Sequence, residues 1–177
     1  MKKRYLIIDG YNLLFKMKEY NKIKSSSFAI ERDILIDILK EYVSGNEFDK
    51  TYCVFDAYYN RNKEYIKEDH PIYIVYTKTD TTADQWIESK TRELYMEHFS
   101  DVIVVSDDRN ERDSALGYGA ILRDCHRFIK DLYDRKIQVK KEAKAHNNNR
   151  LINRNIRMTE ETRKKLESFL LEGKSLK

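Results

Sequence analysis

The sequence predicts an α/β fold in which a central, mainly parallel β-sheet is flanked by helices, and three observations lead to it. Short apolar runs of strand length alternate with segments whose apolar residues recur at helical spacing, the pattern of a sheet joined by right-handed crossovers. The 177 residues suffice for one well-packed domain but not for two comfortable ones. Four aspartates each stand where an apolar run gives way to a turn or a helix start: Asp9 in Tyr5-Leu6-Ile7-Ile8-Asp9-Gly10, Asp56 in Tyr52-Cys53-Val54-Phe55-Asp56, Asp84 in Thr82-Ala83-Asp84, and Asp107 in Val104-Val105-Ser106-Asp107-Asp108. The carboxyl ends of parallel strands line one edge of a sheet, so acids far apart in sequence can meet there.

Each element has its own signal. Residues 4–9 read as a short buried strand, with Gly10 and Asn12 marking a turn after it. From Phe28 to Val43 the stripe Ile30, Ile34, Leu35, Ile38, Leu39 and Tyr42 predicts a helix that Gly45 stops. Thr51–Phe55 is the second strand, and residues 58–63, polar, aromatic and basic, form a surface loop. Ile72–Tyr76 is the third strand, preceded by the single proline, Pro71. Thr82-Ala83-Asp84-Gln85 fits the capping box of a helix to about His98, with Trp86, Ile87 and Leu94 facing inward. Val102–Val105 is the fourth strand. Asp107 and Asp108 can cap a short helix through Asp113, and Ile121, Leu122, Cys125, Ile129 and Leu132 mark a helix over residues 119–133. Lys136–Lys141 reads as a short strand, residues 145–149 as a connection without apolar period, and residues 158–172 as a C-terminal helix beginning at Thr159-Glu160-Glu161.

Composition excludes several classes. Two cysteines, each inside an apolar pattern, make no disulfide framework and suit a reducing cytoplasm. Neither they nor the four histidines show zinc-ligand spacing. The basic start Met1-Lys2-Lys3-Arg4 is followed by an apolar run that Asp9 ends too early for a signal peptide, and no segment reaches membrane-spanning length, so no membrane partner is expected. The net charge of +4 is unevenly spread: residues 135–157 carry eight Lys or Arg against the single acid Glu142, and the first 134 residues are net acidic. An acidic body with a basic extension pairs a site for cations with a surface for polyanions such as nucleic acid, although a solvated tail would look the same.

Convergent carboxylates repel one another unless a hard divalent cation neutralises them, and Mg²⁺ or Mn²⁺ prefers carboxylate and water oxygens. Asp9 is the leading candidate: Gly10 permits close approach, and Asn12 offers an amide to a carboxylate, a metal-bound water or a phosphate. Taken singly, each acid has an ordinary reading, as a turn residue for Asp9 or a helix cap for Asp84 and Asp107. Asp56 follows a strand with no helix cap to explain it. Glu88 lies one turn after Asp84 and is either a supporting carboxylate or a solvated residue.

The ordered series Asp9-Gly10-Tyr11-Asn12, Val54-Phe55-Asp56-Ala57, Tyr76-Thr77-Lys78 leading to Thr82-Ala83-Asp84, Ser106-Asp107 and Gly117-Tyr118-Gly119-Ala120 resembles the NYN branch of the PIN-like nucleases, in particular the YacP-like bacterial proteins. The resemblance implies a Rossmann-like PIN/NYN fold spanning residues 1–177, a Mg²⁺-dependent acidic pocket, and endoribonuclease activity associated with ribosomes and mRNA decay. Carried onto this chain, the catalytic acids fall on Asp9, Asp56, Asp84 and Asp107, with the metal on Asp9, Asp84 and Asp107 and with Asn12, Ser106, Glu88 and Asp108 in support. Single-stranded RNA is expected along Arg61, Lys63, Lys78, Lys140, Lys141, Lys144, Arg150 and Arg154, with Tyr11, Tyr58 or Tyr59 available for stacking. Two positions depart from the family pattern: Gln85 stands where an acid is common, and Asp124-Cys125-His126-Arg127 replaces a Ser-Ala-Arg-Glu-like stretch. The rival readings are an RNA- or ribosome-binding module without turnover and a small-molecule phosphatase. The second is disfavoured because the position of its second acid is Tyr11.

Overall fold

Strand β1 (Arg4–Asp9) buries every side chain after its first residue, which only the middle of a sheet covered on both faces permits. The computed structural model describes residues 2–25, 27–44, 48–56, 64–98, 100–108 and 117–142. Strands β2 (Lys50–Phe55) and β5 (Asp101–Val105) flank β1, both parallel to it, with Ile8 opposite Cys53 on one side and Val105 on the other. Strand β4 (Ile72–Tyr76) continues the sheet beyond β2 in parallel, and β3 (Tyr65–Asp69) closes that rim antiparallel to β4. At the other rim β6 (Ile121–Arg123) lies parallel to β5. The order is therefore β3-β4-β2-β1-β5-β6.

Alternation along the strands divides the core in two. Leu6, Ile8, Cys53, Phe55, Ile74, Ile103 and Val105 face helices α1 (Gly10–Glu19), α2 (Phe28–Val43) and α4 (residues 125–134), whose Leu13, Leu14, Leu35, Leu39, Phe128 and Ile129 complete that cluster. Tyr5, Ile7, Tyr52, Val54, Val75, Val102 and Val104 face α3 (Ala83–His98), which contributes Ala83, Trp86, Ile87 and Leu94. A mainly parallel sheet flanked by helices is thus the architecture. Among the described residues no helix is long and apolar enough to cross a membrane, and Cys53 and Cys125 are buried and form no disulfide.

Several elements differ from the sequence reading. The turn expected at Gly10-Asn12 is the first turn of α1, since Asp9 caps that helix and Leu13, Leu14 and Met17 form its buried stripe. Strand β3 was not foreseen: it is a rim strand with four exposed residues and no apolar alternation. The helix expected over 119–133 begins only at residue 125, and Ile121–Arg123 is instead β6. Asp124 marks the boundary, its Oδ1 accepting from Arg127 N at 2.7 Å, the bond of an N-cap.

The chain divides into two compact units, Met1–Asp134 and Arg135–Lys177. In the second, residues 135–142 are helical, which corrects the strand expected over Lys136–Lys141. Straight-chain residues outnumber Ile137 and Val139 there, and Gln138 Nε2 donates to Glu142 Oε1 one turn on at 3.3 Å. Residues 58–63, the short helix expected through Asp113, the connection at 145–149 and the helix at 158–172 lie outside the described residues.

Candidate active site

The path of the chain creates the site. It leaves β1 for β2 and β4 on one side, then returns to the other side of β1 as β5. At such a reversal the connections diverge and leave a crevice outside the carboxyl ends of the central strands. Asp9 is the last residue of β1. Asp56 follows β2, two residues beyond Val54, the register partner of Asp9, and Asp107 lies two residues after Val105, the partner of Ile8, so the two belong to the same carboxyl edge as Asp9, on the strands either side of it. Asp84 reaches this edge from the first turn of α3.

Three of these acids anchor helix starts. Asp9 caps α1: Asn12 N donates to Oδ1 at 2.9 Å and Asn12 Nδ2 to Oδ2 at 2.7 Å. Asp56 Oδ1 accepts from Ala83 N, the first residue of α3, at 2.6 Å. Asp107 Oδ1 accepts from Cys125 N at the start of α4 at 2.8 Å. Helix N-termini attract anions through their unpaired N–H groups and dipoles, so three helix starts help to hold the carboxylates at one edge. The capping box of α3 forms as well, with Gln85 N donating to Thr82 Oγ1 at 3.2 Å and Thr82 N to Gln85 Oε1 at 3.1 Å. Gly10 is required by a close approach: a Cβ there would run into the edge of the Phe55 ring, at Cε1 and Cδ1. The ring at the end of β2 thereby packs directly on the start of α1.

The acids share an electrostatic field. Burial raises the proton affinity of Asp9; the two Asn12 hydrogen bonds oppose this, and the charges of Asp84 and Asp56 add to it. Asp84 is raised by burial and then by Asp108 and Asp56. The field of Asp107 reaches Lys16 of α1, whose ammonium is 2.9 Å from Glu19. Asp108 is thus the β5-end acid that Asp84 feels. Its backbone N–H donates to the buried Ser106 Oγ at 3.0 Å. Glu88 Oε1 accepts from Tyr118 Oη at 3.3 Å.

Tyr11 and Lys78 have partners of their own. Tyr11 stacks with Phe15 and Phe28 and meets Phe55 edge-on, so its ring belongs to the packing between α1 and α2. Lys78 is paired with Asp80 at 3.2 Å. Lys140 and Lys141 are exposed on the helical residues of the second unit. Arg61, Lys63, Lys144, Arg150, Arg154, Tyr58 and Tyr59 lie outside the described residues.

Among the described residues no three His, Cys, Asp or Glu side chains are gathered tightly enough to hold a metal ion between them. Mg²⁺ does not demand that arrangement, since it keeps several waters and binds through one or two carboxylates together with substrate phosphates. The donor set is all oxygen, and the influences that raise Asp9 and Asp84 are burial and like charges. In its chemistry it fits a hard, partly hydrated cation.

The sequence model of the YacP-like NYN domain matches residues 6–170. The uncharacterized protein YacP of Bacillus subtilis is 29% identical over 129 residues, 72% of this chain and 74% of that protein. Two crystal structures of Rae1 (YacP) from Bacillus subtilis are similar. One, of a point mutant, has 25% identity and a TM-score of 0.63, covering 80% of each chain. The other, at 24% identity and a TM-score of 0.68, covers 96% of this chain and 94% of that one, and supports the fold.

Proposed function

Because the chain belongs to the YacP-like NYN domain family, whose nuclease-like, RNA-related character it shares, we propose that it is a metal-dependent endoribonuclease hydrolysing phosphodiester bonds of mRNA in the cytoplasm, with the ribosome as a partner. The observation that carries the reading is geometric: Asp9 ends β1, Asp56 follows β2 and accepts from the first residue of α3, and Asp84 lies in the first turn of α3, so that the charges of Asp56 and Asp84 act on Asp9. One or two of Asp9, Asp84 and Asp107, together with waters and a substrate phosphate, would hold Mg²⁺ or Mn²⁺, with Asp56 and Asp108 beside them. Such an ion, when bound, supplies a water of lowered pKa and positive charge for the phosphoryl oxygens.

The remaining work falls to the chain's own residues. Asn12 fixes both oxygens of Asp9. Asp56 ties the start of α3 to the end of β2, which keeps Asp84 near Asp9. Ser106 fixes the backbone that presents Asp108. No side-chain nucleophile is required, because the attacking group is water. The basic segment 135–157, distant from the aspartates in sequence, supplies phosphate contacts.

The test is cleavage of a single-stranded RNA by purified protein with Mg²⁺ or Mn²⁺. The wild-type protein should cut internally and lose activity in excess chelator. Asp9→Asn and Asp84→Asn should each lower the rate at least about a hundredfold, the scale of losing one charge-stabilising group. RNA binding without metal-dependent cleavage would favour the alternative, a binding module whose pocket no longer turns over.

A further inference from the structure

A second concavity lies on the other flank of α3 and has no part in the acidic crevice. The α3 helix packs over β1, β2 and β5, so the same face of the sheet continues past it on β4 and β3. Among the described residues this corner is a cavity of about 500 Å³ lined by Tyr52 of β2, Tyr73 of β4, Ile66 of β3, Trp86 of α3 and the ends of several polar side chains. That volume lies within the range of small-ligand sites. Tyr52 and Tyr73 are register partners with ring centroids 5.3 Å apart, and Trp86 stands 5.7 Å from Tyr52.

Charge decides what such a cavity takes. Its lining holds two lysines, Lys78 and Lys90, and two acids, Glu64 and Glu93. Lys90 is paired with Glu93 at 2.5 Å and Lys78 with Asp80 at 3.2 Å. A phosphate would have to compete for ammonium groups already paired, whereas a flat neutral heterocycle would not. Thr81, Gln85 and Ser89 add hydroxyl and amide groups suited to the edge of such a ring. With Gln85 Oε1 committed to Thr82 N, its amide nitrogen is left as the donor.

Position supplies the link to RNA. On α3, Asp84 and Glu88 form one flank, while Gln85, Ser89 and Glu93 form the next, about 100° round the axis. The cavity and the acidic crevice therefore share one helix start, with Asp84 and Gln85 adjacent in sequence. We propose that this cavity is a nucleobase pocket that takes the base of a nucleotide flanking the scissile phosphate of single-stranded RNA. Stacking on the half-buried Tyr73 ring, backed by the buried Tyr52 and Trp86 rings, supplies the affinity, and the Thr81, Gln85 and Ser89 groups supply a base preference. The inference rests on the RNA-nuclease reading above.

Trp86 is the sole tryptophan of the chain, so its fluorescence reports on the pocket without metal or turnover. The experiment titrates the full chain in chelator with adenosine, guanosine, cytidine and uridine, and with ribose 5-phosphate as a base-free probe. At least one nucleoside should change the fluorescence saturably, and ribose 5-phosphate should not. Tyr73→Ala should weaken that binding by about tenfold, the scale of one lost stacking partner. Ser89→Arg, on the flank of α3 that lines the cavity, should block it by filling the space, and Tyr73→Phe should retain it. A response to ribose 5-phosphate alone, no saturable response to any nucleoside, or unchanged binding in both Tyr73→Ala and Ser89→Arg overturns the pocket. Metal-dependent RNA cleavage with no nucleoside response would sink the pocket and leave the nuclease intact. A nucleoside response without cleavage would do the reverse.

Discussion

The two faces of the sheet are covered unequally. Among the described residues, one carries three helices and gathers aliphatic and aromatic side chains from those helices and from β1, β2, β4 and β5 into a closed layer. The other carries α3, gathers fewer residues, and leaves Tyr73 and Ile66 partly open at its corner. The closed face has surplus burial with which to hold the fold. The open face retains concave, aromatic surface of the kind that recognises ligands. The acids belong to neither face, because they stand at the edge where both end.

The largest effects should separate the faces by stability. Phe128 is fully buried among the residues facing α1, α2 and α4. Phe128→Ala should cost about 3–5 kcal/mol, the scale of a lost core aromatic ring. Tyr73→Ala on the open face removes a half-buried ring and should cost ~1 kcal/mol, since only part of its apolar area leaves a dry environment. Chemical denaturation of the two variants checks this, and equal losses would break the distinction between the faces.

A smaller effect probes the edge. Gly10→Ala should destabilise by about 1–3 kcal/mol, because the added methyl group collides with the Phe55 ring and the cost is that of overpacking. Restored stability in the double variant Gly10→Ala with Phe55→Leu would locate the strain in that contact.

The smallest effect is a pH dependence that sharpens the contrast between the edge and the faces. The carboxyls of Asp9 and Asp84 are raised above the ordinary value of 3.8, burial being the first cause for each. Between that value and their raised folded values, the folded state binds more protons than the unfolded one. Metal-free stability from these groups is therefore gained as pH falls through the folded pKa values and lost as it rises through them. Asp9→Asn keeps a capping oxygen for Asn12 N and removes a repelling charge. It should melt at or above the wild-type temperature at neutral pH in chelator, with its advantage shrinking on acidification. A variant that melts well below wild type at neutral pH would show that the carboxylate is structural.

Much of the edge was legible in the sequence. Asp9 and Asp56 stand out because an apolar run ends on an acid, and the start of α3 because Thr82 and Gln85 sit at capping-box spacing. Helix α1 was obscured because Asp-Gly-x-Asn is also turn chemistry; the stripe Leu13, Leu14, Met17 was the contrary signal. Strand β3 had no readable periodicity, as an exposed rim strand buries nothing regular. The start of α4 could have been found from Asp124, whose capping role divides Ile121 and Leu122 from the stripe that follows. The nucleobase cavity was invisible, since Tyr52, Tyr73 and Trp86 come from three elements that only the sheet register brings together.

The register of β1 bears on how the chain comes to fold. The first strand made is the central one, and its partner on one side is β5, with Arg4 paired to Asp101. Closing a loop of that length carries an entropic penalty before any contact repays it, and such non-local parallel pairing slows folding. During synthesis from the N-terminus, β1, α1, α2, β2 and β4 can gather first, leaving one side of β1 unpaired. The crevice edge bearing Asp107 and Asp108 is added only when β5 arrives, so the full set of acids is assembled after β1, β2 and β4 have been made.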